Sequence, residues 1–368
     1  TSRRLTNKGD VHNAALSHDG KLFVYSTGTS RSLRLGQTNG GDDIELIPPS
    51  DVTYRSLAFS PDNGSIYYVI TGKDHPNGGL FKISSLGGVA EKLRNNIRIH
   101  VAFSPDMSHF AFVGKAEDND GSSLYIAETT GTNKREIVRR LSKFQFDTST
   151  VAWSRDGKTI AVSAISEKGE GVDREVFLVN AEDGNIRQLT EKKFRGISGL
   201  AWLGDGTGLT MIAAERTEVY SLIWHVSTSD GSARRINASL TNYGSPLDVS
   251  ADNGSMLAVT SDSITNIWTA PADAPEQAKQ ITTSAFGGAL GRVGIVWLVD
   301  GRIVMSGHDK AGGNPLWIAD PDGKNLKQLT PDGSIDTNPS ATADGRTVVF
   351  GSNRSGAVEI WRIDLASN

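Results

Sequence analysis

The 368-residue chain contains no cysteine. That excludes a disulfide framework, a thiolate zinc site and a thiol nucleophile. No apolar run approaches the roughly 18 residues needed to cross a bilayer, and no signal-peptide pattern is present. An excess of one charge is missing too. The 38 basic and 42 acidic side chains leave a net charge of −4, too balanced for a dedicated nucleic-acid binder. One locally basic stretch, residues 134–143, reads as a solvated loop or outer strand. None of the seven histidines falls in a His-x-x-x-His or His-Glu-x-x-His pattern, so no metal or other cofactor is expected. No Gly-x-Ser-x-Gly elbow on a strand-to-helix turn is present, which argues against Ser-centred catalysis within this chain.

What the chain does have is a repeat. Eight times an Asp sits in a short turn between two apolar, strand-like runs, at Asp19, Asp62, Asp106, Asp156, Asp205, Asp252, Asp300 and Asp344. Successive steps are 43, 44, 50, 49, 47, 48 and 44 residues. Self-similarity at that period marks a propeller or solenoid. Hydrophobic content of 37% suffices for a packed core, and forty glycines suit a chain that turns tightly and often.

The fourth repeat shows the unit. Thr150-Val151-Ala152-Trp153-Ser154 reads as a first strand and Asp156-Gly157 as a turn. Thr159 to Ser163 forms a second strand, Glu175 to Val179 a third and Ile186 to Thr190 a fourth. Four short strands joined by hairpins and repeated radially make a propeller blade. The aromatic column Phe59, Phe103, Trp153, Trp202 and Trp297, and a second of Trp268, Trp317 and Trp361, are expected to pack between blades. The eighth repeat stops after its third strand, at Ile363-Asp364-Leu365, while Arg3-Arg4-Leu5-Thr6 matches a missing fourth strand. The sequence therefore predicts one all-β domain over residues 1–368. It is an eight-bladed β-propeller of four-stranded antiparallel blades, closed by residues 2–7 joining the blade of residues 338–366.

The repeated Asp is read as structural, because its carboxylate accepts turn N–H bonds and eight such acids cannot be eight active sites. Ligand sites on propellers lie at the channel mouth, where the chain runs into each innermost strand. There the sequence places His12, Tyr54, Arg55, Arg98, His100, Arg292 and Asp336, with Asp10, Asn13, Asp147, Ser149, Arg195, Tyr243, Ser245 and Asn338 beside them. The mixture of cations, acids and an aromatic suits a protein, a peptide or a small polar ligand. A polar lining is equally what a water-filled channel needs. The chain opens at Thr1, without Met and inside a strand-like segment, which suggests a processed product or an excised domain.

The turns with their flanks, such as Ala58-Phe59-Ser60-Pro61-Asp62, Ala102-Phe103-Ser104-Pro105-Asp106 and Ala152-Trp153-Ser154-Arg155-Asp156-Gly157, resemble the TolB-like family of WD-like (PD-type) bacterial propeller repeats. The stretch from Asn338 to Arg346 does the same. TolB itself is a six-bladed ring with an extra N-terminal domain, from which this chain departs in its eight repeats. The resemblance implies a non-catalytic binding or sensing propeller, the periplasmic or extracellular part of a larger bacterial receptor kinase or winged-helix regulator. A monomer is expected, with no nucleic acid bound by this domain. Two enzymes stand as alternatives: a propeller lyase or glycosidase acting on polysaccharide, and the propeller half of a prolyl-oligopeptidase-like protease.

Overall fold

The computed structural model describes residues 2–365 apart from 8, 30, 118–120, 140–143, 167–172, 216–219, 237–240, 262–264, 283–289, 292, 308–312 and 332. Regular structure among these is all β, save a single 3-10 turn at Pro275–Gln277. Each full sheet is an antiparallel meander in which sequential strands are neighbours.

The fourth sheet shows why the sequence folds this way. Its strands are Phe144–Trp153, Thr159–Ser166, Asp173–Asn180 and Ile186–Gln188. Ile160, Ala161 and Val162 on the second strand are wholly buried, so both faces of the sheet are covered. A strand buried on both faces reads as a continuous apolar run, as it does here. At the Asp turn, Ser154 Oγ donates to Asp156 Oδ1 at 2.6 Å and accepts from Thr159 N at 2.9 Å. Asp156 Oδ1 also accepts from Lys158 N at 3.0 Å. Gly157 turns the chain at φ 75°, a left-handed conformation that glycine adopts freely. The same Ser-to-Asp bond recurs at Ser17–Asp19, Ser60–Asp62, Ser104–Asp106 and Ser250–Asp252, and Thr342 replaces the serine before Asp344.

The chain divides into two compact units, Thr1–Ala214 with Ser221–Thr260 and Glu215–Tyr220 with Ser261–Asn368. In the first unit six sheets follow one another. Their innermost strands are Val11–Leu16, Val52–Phe59, Ala102–Phe103, Phe144–Trp153, Gly196–Trp202 and Tyr243–Val249. A polar bond crosses each junction. His18 N donates to Asn63 Oδ1 between the first and second sheets, and Val101 N to Ser56 Oγ between the second and third. Ser122 Oγ donates to the Phe146 carbonyl, Trp202 Nε1 to the Ala152 carbonyl, and Gly204 N to Asn253 Oδ1. The circuit closes where Ala251 N donates to the His18 carbonyl at 2.8 Å and Leu16 N to Asp248 Oδ2 at 2.9 Å. Apolar clusters fill the wedges between neighbours. One of them packs Leu16, Phe23 and Tyr25 of the first sheet with Leu257 and Val259 of the sixth. The first unit is thus a six-sheet propeller ring.

In the second unit the sheets are Trp268–Thr269 with Lys279–Gln280, then Ile295–Trp297 through Lys327–Gln328, then three strands from Asp336–Ala341 to Glu359–Asp364. Val304, Leu316, Val348 and Phe350 form its core.

Two expectations change. Residues 2–7 form no strand among the described residues, and the sheet of Asp336–Ala341 keeps three strands. Arg3 instead donates to the Asn39 carbonyl of the first sheet at 2.6 Å, and Leu5 packs on the cluster shared by the first and sixth sheets. The turn spacing counts modules but does not say which module meets which; that is decided by the wedge residues, here Leu16 against Leu257 and Val259. Trp268 and Trp297, expected between blades, are 59% and 52% exposed. They lie on strands of two and three residues, too short to bring a neighbour over a large ring.

Candidate functional site

Six inner strands arranged around one axis leave a space that only their inward side chains can line. In the first unit that space is a cavity of about 440 Å³, with residues from all six sheets in its wall. The volume lies within the usual range of small-molecule sites. Most of the wall is apolar, including Phe59, Phe103, Trp153, Leu200 and Leu247. Four titratable groups share it, His18, His100, Arg155 and Asp248, from the first, third, fourth and sixth sheets.

Asp248 is fixed by the closing seam of the ring. Its Oδ2 accepts from Leu16 N at 2.9 Å and its Oδ1 from Val249 N at 2.8 Å. Burial holds its carboxyl above the ordinary value, against the pull of those two N–H groups and of Arg155. Arg155 reaches across from the fourth sheet and donates through Nη2 to the Val249 carbonyl at 2.6 Å. Its Nε is buried and without a partner. Among the described residues no carboxylate lies within ion-pair distance of it. His18 has its ring Nδ1 buried and likewise unpartnered. Burial and then the Arg155 charge hold its pKa below the usual value, partly offset by Asp19 and a hydrogen bond to the backbone at Ser60. The ring is therefore neutral at pH 7.

His100 is held differently. Ser56 Oγ accepts from Val101 N at 2.9 Å and lies 3.1 Å from His100 Nδ1, which is also 3.4 Å from the Arg55 carbonyl. Burial pushes this imidazole down as well.

Within the first unit, the described residues singled out in the sequence do not assemble into one mouth. His12, Arg55 and Arg98 are exposed, with Arg55 Nε 3.3 Å from Thr71 Oγ1. Tyr54 is 2% exposed and packs in the core against Tyr68, and burial raises its pKa. Arg292 lies outside the described residues. Asp336 belongs to the second unit and is buried in a structural network, accepting from Arg354 Nη2 at 3.0 Å, Thr330 Oγ1 at 2.5 Å and Ser334 Oγ at 3.2 Å. Of the six that are described, His100 alone lines the cavity. Sequence reasoning missed His18, Arg155 and Asp248. A signal for two of them was present. In the turn pattern Ser-x-Asp, position x is Pro61, Pro105 and Ala251 in three repeats of the ring, but His18 and Arg155 in two others.

No family model matches the chain. Among curated proteins it is similar to the uncharacterized peptidase YuxL of Bacillus subtilis (strain 168), 28% identical over 147 residues. That segment is 39% of this chain and 19% of the peptidase, so the chain spans about a fifth of the curated relative it matches. Solved structures similar to it include TolB from Acinetobacter baumannii, 14% identical with a TM-score of 0.42, covering 96% of this chain and 75% of that one. The propeller domain of the Trilobed protease from Pyrococcus furiosus is 13% identical with a TM-score of 0.43, at coverages of 97% and 95%. Puromycin hydrolase is 12% identical with a TM-score of 0.48, at 91% and 48%. The likeness to a peptidase overturns the expected reading as a non-catalytic receptor sensor. That reading rested on turn motifs, which are shared by propellers of unlike function.

Proposed function

We propose that this chain is the propeller part of a peptidase-type protein, with the hydrolytic chemistry carried by a separate domain. The 147-residue likeness to YuxL is the observation that carries this reading. The fold is compatible with it. A six-sheet ring with a largely apolar axial cavity can admit a peptide while excluding folded proteins, and no strand-to-helix nucleophile elbow is present in the sequence. On this reading the TolB-like turns reflect common propeller construction rather than a shared partner. A periplasmic or extracellular location belongs to the proposal too, and fractionation of cells producing the protein tests it.

The decisive experiment uses the full-length gene product. It should hydrolyse peptidyl p-nitroanilides, be labelled by a fluorophosphonate, and change its preference for substrate length when the ring is altered at Trp153 or Trp202. A full-length product that carries no hydrolase domain, or that neither hydrolyses these substrates nor takes the label, would defeat the proposal.

A further inference from the structure

Position x of the Ser-x-Asp turn faces the axis of the ring, and the fold asks little of it there. Proline at 61 and 105 and alanine at 251 satisfy the turn and line the same cavity. His18 and Arg155 in that position are not needed for the turn, and both have a ring or guanidinium nitrogen that is buried and unmatched. A buried polar atom without a partner is costly, and more so when charged. Such a cost persists in a chain when something outside it supplies the match.

The two orphans ask for different things. Arg155 Nε can only donate. His18 Nδ1 is buried and unpartnered, and in the neutral ring that carries its proton on Nε2 it is an acceptor. A matching ligand therefore carries an acceptor, best an anionic one, beside an N–H. The acid in the same wall does not supply it. Both oxygens of Asp248 are already engaged by the N–H groups of Leu16 and Val249, and a cationic ligand would have to compete with them. His100 is satisfied by Ser56. The rest of the wall is aromatic and aliphatic, and a volume of about 440 Å³ admits one or two residues rather than a folded chain.

We propose that the axial cavity binds the C-terminal residue of a peptide, or a free N-acylated amino acid of the same form, with its carboxylate on Arg155, its amide N–H on His18 Nδ1 and an apolar side chain against the surrounding wall. The site stands independently of the peptidase reading, because it is built entirely from this chain and needs no catalytic domain.

Calorimetric titration of the 368-residue chain tests it with N-acetyl-leucine, acetyl-Gly-Gly-Leu and the C-terminal amide of each. The acids should bind at least about tenfold more tightly than their amides, as expected from one charge-assisted pair. Binding of both acids marks a peptide C-terminus as the ligand; binding of N-acetyl-leucine alone marks the free acyl amino acid. Arg155→Met should weaken acid binding at least about tenfold and erase the difference from the amide. His18→Phe should weaken acid and amide alike, since both carry the N–H. Arg155 also holds the Val249 carbonyl, so the melting of each variant is followed by circular dichroism, and the acid–amide comparison on the unaltered chain decides the matter by itself. Equal affinity for acid and amide, binding of amines in preference to acids, no binding of either acid, or full binding by a folded Arg155→Met variant would each overturn the proposal.

Discussion

Ser154→Ala removes one hydroxyl that serves two partners. In the folded chain that hydroxyl accepts from Thr159 N and donates to Asp156 Oδ1. Ser154 is 4% exposed, so water replaces it poorly and the Thr159 N–H loses its acceptor. Leaving one such group unmatched costs about 1–3 kcal/mol. For a unit of this size each kcal/mol moves the midpoint by about 2–4 °C, so a fall of about 4–8 °C is expected for a cost near the middle of that range. The pH dependence follows from Asp156. The Ser154 hydroxyl, then the Lys158 N–H, holds its carboxyl below the ordinary value. An acid whose folded pKa is depressed contributes stability above its unfolded pKa, near 3.9, and loses it as pH falls through the folded value. The gap between the natural chain and Ser154→Ala should therefore narrow from pH 7 toward pH 3. Thermal melts by circular dichroism at both pH values, with Asp156→Ala and the double variant completing a cycle, measure the effect. Strict additivity of the two substitutions, or an unchanged midpoint in Ser154→Ala, would refute the view that serine and aspartate act as one unit.

Three further outcomes are expected. Ile160→Ala, at a fully buried position of the fourth sheet, should cost about 2–5 kcal/mol in urea unfolding, through lost burial and the cavity left behind. Gly204→Ala would place a methyl 1.8 Å from the Ala251 carbonyl oxygen, a backbone atom that cannot swing aside. It should lower soluble yield and loosen the junction of fifth and sixth sheets, seen as faster amide exchange at Gly204 and Ala251. Asp336→Ala should cost about 3–5 kcal/mol because it strands Arg354, which donates to both Asp336 oxygens, and a melt of that variant checks it.

Much of the fold is legible in the residues. The apolar run Ile160-Ala161-Val162 states a strand covered on both faces, and Asp-Gly or Asp-Asn-Gly states a turn. These are local demands, and local demands are written locally. The ring is not, since Leu16 meets Leu257 and Val259 across some 240 residues, and no turn spacing encodes that meeting. The site was legible only in part for a related reason. Position at the start of an inner strand does not by itself turn a side chain to the axis: Tyr54 turns into the core while Arg55 points to solvent, as alternation along a strand requires. His18 and Arg155 were hidden inside the turn motif, where repetition drew attention to the constant aspartate rather than to the variable neighbour before it.

Asn63 and Asn253 adopt φ of 59° and 60°, in turns where Gly20, Gly157 and Gly206 take φ of 70–75° in other repeats. Glycine there would bend the chain just as well, but it has no amide oxygen to offer the adjoining sheet, whereas these two asparagines clasp His18 N and Gly204 N. Asn63→Gly or Asn253→Gly would thus unbutton one seam while leaving every hairpin intact, which makes the cohesion of the wheel separable from the folding of its spokes.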